Sequence, residues 1–168
     1  NNASNAPMLH VEYTYGGEDR VLERSITYNR NDAEEDPTTG EVDRYSNDLE
    51  LGTKIVGLRF TSVTIPPGST ITSAYIKFVA DESSEAVTNL TIWGHDIDNS
   101  SEFSSTDNNI SNRTKTTASV PWNMTLPEHA WVANTLEPRI DIGKSVISEL
   151  FKDRSISWGF GTYTASSS

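Results

Sequence analysis

The chain has 168 residues, 24 acidic side chains against 13 basic ones, a net charge of −11 and no cysteine. That length suits one domain with a buried core, and an acidic balance without basic clusters argues against nucleic acid and anionic membrane surfaces as partners. The absence of cysteine removes disulfides and thiol chemistry, and no apolar run in the sequence is long enough for a membrane-spanning helix.

From its first residues the chain alternates with period two. Over residues 7–15, Leu9, Val11, Tyr13 and Tyr15 fall on one face, as a half-buried strand requires. Gly16-Gly17 marks a turn, and a second strand is expected over 21–28 with Leu22, Ile26 and Tyr28 on one face. Residues 32–36 read as an acidic loop, followed by the turn residues 36–40 and short strands over 41–45 and 48–51. Val56, Leu58 and Phe60 share a face over 54–61; after Pro66-Pro67-Gly68, Ala74, Ile76, Phe78 and Ala80 share one over 71–80. Leu90, Ile92 and Gly94 alternate with Thr91, Trp93 and His95, and the polar stretch 99–117 reads as a surface excursion. Two more short strands are expected over 118–122 and 139–142. Ile142, Val146, Ile147, Leu150 and Phe151 then recur at helical spacing after a capping Asp141. Residues 155–164 alternate again before a polar tail. Many short strands with regular turns predict an all-β fold, an antiparallel β-sandwich of jelly-roll type with one short helix plugging an end.

The two ends read together. Placing the tail before the head makes a strand, a polar loop and a strand, so the chain reads as one period of a tandem or polymeric array cut out of phase with its folding unit. It begins Asn1-Asn2, which reads as a mature or cropped segment. On this reading residues 1–16 are a linker and donor-like strand and residues 17–168 the β-sandwich module. The plainer alternative has the first strand pairing with the last inside one chain.

Three kinds of site are suggested. Carboxylates gather at Asp32, Glu34, Glu35 and Asp36, at Asp48 and Glu50, at Asp81 and Glu82, and in His95-Asp96-Ile97-Asp98-Asn99. Calcium takes six to eight hard oxygens, so Asp32, Glu34, Glu35, Asp48, Glu50 and Asp96 are candidate ligands for a structural Ca2+; the alternative is a solvated acidic loop. Trp93, Trp122, Trp131, Trp158, Tyr28 and Tyr45 offer flat faces to sugar rings. Trp93 is expected to point outward and stack best, Trp122 and Trp131 to pack across a sandwich end, and Trp158 to lie in the core. N-x-[ST] sequons occur at Asn2, Asn89, Asn99, Asn109, Asn112 and Asn123. The three histidines, His10, His95 and His129, are scattered, and no nucleophile or phosphate-binding motif is present, so no enzyme is expected.

A family resemblance rests on several stretches: residues 32–35, 46–52, 56–61, 63–76 (Val-Thr-Ile-Pro-Pro-Gly-Ser-Thr-Ile-Thr-Ser-Ala-Tyr-Ile) and 109–114. Together they resemble the carbohydrate-binding-module-like β-sandwich repeats of large secreted and surface proteins, over about 21–161. In that family the module ends with a strand of the Ala-Pro-Leu-Leu-His-Val-Glu-Tyr kind. Here Ala6-Pro7-Met8-Leu9-His10-Val11-Glu12-Tyr13 stands at the front instead. The resemblance therefore implies that Leu9, Val11, Tyr13 and Tyr15 form an inter-subunit strand, given to a neighbouring copy and received from the next. The expectation is a structural repeat of an extracellular or cell-surface filament or long surface protein, whose partners are identical copies of itself, head to tail. The alternative is a carbohydrate-binding module or adhesin repeat whose partner is polysaccharide. Neither nucleic acid nor membrane insertion is expected.

Overall fold

The computed structural model describes residues 5–80, 83, 88–124, 140–141 and 160–164. Strand β1 (Met8–Tyr15) and β2 (Glu18–Ser25) form a hairpin, from Met8 opposite Ser25 to Tyr15 opposite Glu18. Gly16 and Gly17 join them with φ of 63° and 83°. A tight two-residue turn matching strand twist needs left-handed backbone at both positions, which glycine alone adopts freely. There follow β3 (Asp32–Glu35), β4 (Val42–Asp43), β5 (Ile55–Leu58), β6 (Thr70–Lys77), β7 (Thr88–His95), β8 (Lys115–Met124), β9 (Ile140–Asp141) and β10 (Phe160–Thr164). The described residues are thus all-β, in two antiparallel sheets ordered β2-β1-β6-β9 and β4-β3-β5-β10-β7-β8.

β1 lies inside its sheet, paired to β2 on one side and to β6 on the other. Several expectations are corrected. β10 belongs to the other sheet, between β5 and β7, so the first and last strands do not pair. Residues 32–36 are not a loop: Asp32–Glu35 form a fully buried strand. Residues 48–51 are not a strand; their one pairing is an isolated bridge from Leu51 to Lys54. Tyr28 lies beyond β2 and is exposed. No helix occurs among the described residues; the one expected over 142–151 lies outside them, and Asp141, its expected cap, ends β9.

Alternation decides which side chains meet. Leu9, Val11 and Tyr13 of β1, Leu22 of β2, and Ile71, Ala74 and Ile76 of β6 join Val56 and Leu58 of β5 and Ile92 of β7 in one buried cluster drawn from both sheets. Phe60, Val63, Ile65 and Phe78 extend it from the connections. Each such side chain contributes about 1.5–3 kcal/mol on burial, before chain entropy is subtracted. Tyr15, at the hairpin end, is 43% exposed and takes no part. A second cluster lies on the opposite face of β5: Ile55 with Ala33, Val42, Phe103 and Ile110. The polar stretch 99–117 is therefore no simple surface excursion, since it carries two core residues and runs into β8.

Candidate functional site at the acidic strand and the 99–113 loop

The chemistry-bearing side chains concentrate around β3. Successive residues of a strand point to opposite faces, and this separates the carboxylates. Glu35 shares its face with Ala33 and turns toward the 99–113 loop, where its Oε2 accepts the backbone N–H groups of Ile110 at 2.8 Å and Ser111 at 2.9 Å. Glu34 turns the other way and accepts the N–H of Glu50. Burial raises the Glu34 carboxyl above its usual range, and the nearby charges of Glu50 and Asp48 act in the same sense. Burial likewise raises Asp32.

Asp36, just past β3, has a different role. It accepts the N–H groups of Thr38 at 2.8 Å and Thr39 at 3.0 Å, and Lys54 Nζ donates to it at 2.9 Å. The Lys54 bond, then the two amides, hold its carboxyl well below the usual range. Asx turns of this kind fix the chain between two strands.

The 99–113 loop is held by arginine. Arg113 donates from Nε to the Asn109 carbonyl at 3.0 Å, from Nη1 to Ser100 Oγ at 2.7 Å and the Ser101 carbonyl at 3.0 Å, and from Nη2 to the Glu102 carbonyl at 3.1 Å. Its guanidinium lies 4.2 Å from the Phe103 ring centroid. Burial, then the charge of Arg59, lowers Arg113 to about 10, so it stays charged at neutral pH. Arg59 donates to the Ser100 carbonyl at 2.6 Å and to Asn31 Oδ1 at 2.7 Å. Ser100 Oγ also meets His95 Nδ1 at 2.9 Å. Burial, then Arg113, lowers His95 to about 4. The planar five-donor fork of arginine suits this gathering of carbonyls.

Gly57 shows how closely the loop approaches. A Cβ there would lie 2.6 Å from Phe103 Cζ and 3.2 Å from Ile110 Cδ1, so the bare backbone of β5 is the floor on which the ring rests.

The six proposed calcium ligands do not form one site. Glu34 and Glu35 face opposite sides of β3, and both oxygen sets engage backbone amides. Asp96 is exposed beyond β7, where its own N–H donates to the Thr114 carbonyl at 2.9 Å. Asp48 and Glu50 do lie within electrostatic reach of Glu34. Among the described residues, however, no three His, Asp or Glu side chains are placed to hold an ion together.

The aromatic candidates divide. Trp93 is half-buried with Lys115 Nζ 5.4 Å from its ring centroid. Trp122 packs against the main core. Trp131 and Trp158 lie outside the described residues. Among the sequons, Asn89, Asn99 and Asn112 are exposed, and Asn89 stands opposite Asn123 across β7 and β8. Asn109 is engaged: its Oδ1 accepts Ser104 N–H at 2.9 Å and Arg113 Nη2 at 3.2 Å. Asn2 lies outside the described residues.

On the face of β1 away from the core, His10 stacks on Tyr75 with centroids 4.4 Å apart and meets Glu23 at 2.7 Å and Glu12 at 3.2 Å. The His10 bond lowers the Glu23 carboxyl, with help from Lys77.

The residues missed from sequence are Arg59, Phe103, Ile110 and Arg113. Two apolar residues seven apart in an otherwise polar run, facing a glycine inside a strand, were the available signal. Comparison with protein-family models, curated proteins and solved structures gives no match for this chain.

Proposed function

We propose that the two sheets pack face to face as a β-sandwich of jelly-roll type, and that the chain is a structural, non-catalytic repeat of an extracellular filament or long surface protein. Supporting this, the main cluster takes side chains from both sheets, and the buried polar groups around β3 tie strands to loops. An acidic, cysteine-free chain carrying exposed sequons suits an extracellular surface.

The observation that carries the head-to-tail reading is the place of β1. β1 sits inside its sheet, between β2 and β6, and supplies Leu9, Val11 and Tyr13 to the shared core. Every contact that β1 makes to β6 within one chain has an identical counterpart between two copies, so exchanging the β1–β2 hairpin joins copies without new chemistry. Joined copies would share the same core, and dissociation would expose it.

The test pairs electron microscopy with light scattering of the chain across a wide concentration range. Strand exchange predicts linear assemblies whose repeat is one sandwich. In a second arm, the chain cut to residues 27–168 is expected to unfold and to regain its fold when a peptide of residues 5–26, the whole β1–β2 hairpin, is supplied. A strict monomer at every concentration, with a cut chain that ignores the peptide, would sink the joint.

A further inference from the structure

The inner face of β1 does not by itself fix where the β1–β2 hairpin docks. Leu9, Val11 and Tyr13 stand opposite Ile76, Ala74 and Ile71 of β6. A slip of one residue would turn this row outward and is excluded. A slip of two residues keeps it inward. In one direction it sets Val11, Tyr13 and Tyr15 against the same three side chains; in the other it sets Leu9 and Val11 against Ala74 and Ile71. These contacts are apolar or aromatic in every case, and apolar attraction is non-directional.

The outer face does discriminate. Glu23 of β2, His10 of β1 and Tyr75 of β6 stand opposite one another across three strands. The His10 and Tyr75 rings stack with 4.4 Å between centroids and 13° between planes. Glu23 Oε1 lies 2.7 Å from His10 Nδ1 and 3.7 Å from Lys77 Nζ, which itself lies 5.5 Å from the Tyr75 centroid. Although both rings lie on the face away from the core, His10 is only 9% exposed and Tyr75 6%. The outer row of β1 is Met8, His10, Glu12 and Thr14, so it carries a single ring. A two-residue slip therefore brings Met8 or Glu12 to Tyr75, and moves His10 to Ser73 or to the ammonium of Lys77.

We infer that His10 sets the register in which the hairpin docks, and that Tyr75 is the group it recognises on the receiving copy. This rests on the hairpin exchange proposed above. On exchange, His10 and Glu23 arrive with the hairpin while Tyr75 and Lys77 stay with the receiver, so the ring stack and the Lys77–Glu23 pair both cross the joint. The ion pair is half-exposed and contributes little. The buried stack is the discriminating contact, because its geometry is specific and only one register makes it. His10 is thus a positioning residue of the joint, and the apolar inner row supplies the adhesion.

The test uses the absence of cysteine from the chain: register is trapped in the full chain by introduced disulfides. Thr14→Cys with Thr70→Cys joins positions that are opposite in the native register. Thr14→Cys with Ser73→Cys, or Glu12→Cys with Thr70→Cys, joins positions that meet only after a slip in one direction or the other. The native pair is expected to close fast and the slipped pairs slowly. His10→Ala should lower the ratio of native to slipped closure roughly threefold to tenfold, and His10→Phe, which keeps a ring on Tyr75, should restore it. Val11→Ala should lower the melting temperature and leave the ratio unchanged. An unchanged ratio in His10→Ala, or an equal fall in Val11→Ala, would overturn the assignment. A mixture of chains carrying Thr14→Cys alone and Thr70→Cys alone tests the exchange separately. A disulfide between two chains supports it, and its absence sinks the joint while the single-chain ratio still decides the role of His10.

Discussion

The two faces of β5 are held by opposite means. On one, Val56 and Leu58 meet hydrocarbon from both sheets. On the other, Ile55 and Gly57 lie under a loop whose position depends on Glu35, Arg59 and Arg113 as much as on Phe103 and Ile110. The first face is non-directional and tolerates sliding of one apolar group over another. The second is directional, so losing one partner strands another in a buried place. The contrast teaches that the fold proper and the surface feature it displays are separable: the hydrocarbon face sets whether the chain folds, the polar face sets where one loop sits.

The sharpest way to break that contrast is a charge in the first face. Val11 is completely buried in the common cluster. Val11→Asp places an unpaired carboxylate there, with an expected cost above about 4 kcal/mol, comparable to the whole stability of many domains. The expected result is loss of the cooperative unfolding transition and of near-ultraviolet dichroism. A native-like melt would mean that β1 is dispensable to the core.

Glu35→Ala acts on the second face. It leaves the Ile110 and Ser111 amides without their acceptor, at an expected cost of roughly 3 kcal/mol. The outcome that distinguishes the faces is local. Amide exchange at Ile110 and Ser111 should accelerate strongly, while exchange at Val11 should follow global unfolding alone. Equal acceleration at all three would mean that the loop and the core unfold as one unit.

Gly57→Ala is a smaller change on the same face. Its Cβ would meet Phe103 at 2.6 Å, so the ring must move, at about 1–3 kcal/mol. Phe103→Ala is itself destabilising, but it removes the obstacle. The two substitutions together should therefore cost less than their sum, and strict additivity would show that the loop does not rest on β5.

What was legible in the sequence follows the same division. β1, β6 and β7 alternate cleanly because one side meets hydrocarbon, and their inward residues Leu9, Val11, Ala74, Ile76, Leu90 and Ile92 are all buried as the period requires. β3 gave no such signal. Asp-Ala-Glu-Glu carries no apolar alternation, and what buries Glu35 is a pair of backbone amides 75 and 76 residues away. Such partners are set by tertiary structure, so the run reads as a solvated loop or a cation site. Phe103 and Ile110 were missed for the converse reason, since their polar neighbours are the residues that make the loop's own hydrogen bonds.

The effect most specific to the polar face is slight near pH 6.5 and grows only as pH falls. His95 sits at about 4 in the folded chain against 6.5 for the free side chain, through burial and the charge of Arg113. Between those values the unfolded chain takes up a proton that the folded chain refuses, so stability falls as pH drops from 6.5 toward 4. The slope approaches one proton, about 1.4 kcal/mol per pH unit. Asp32 and Glu34 work in the opposite sense. Their carboxyls are raised by burial, so their contribution is full below the unfolded carboxylate values and is lost as pH rises through the folded ones. The two trends overlap in part of the window and mask each other in a simple pH titration of stability. Comparing the native chain with His95→Gln removes the carboxylate part, which is common to both. The difference in unfolding free energy should be constant above pH 7 and should shift steadily in favour of the variant as pH falls from 6.5 to 4. A difference that stays flat across that window would mean His95 protonates as readily folded as unfolded, and that the Ser100–Arg113 arrangement does not exclude water as its hydrogen bonds imply.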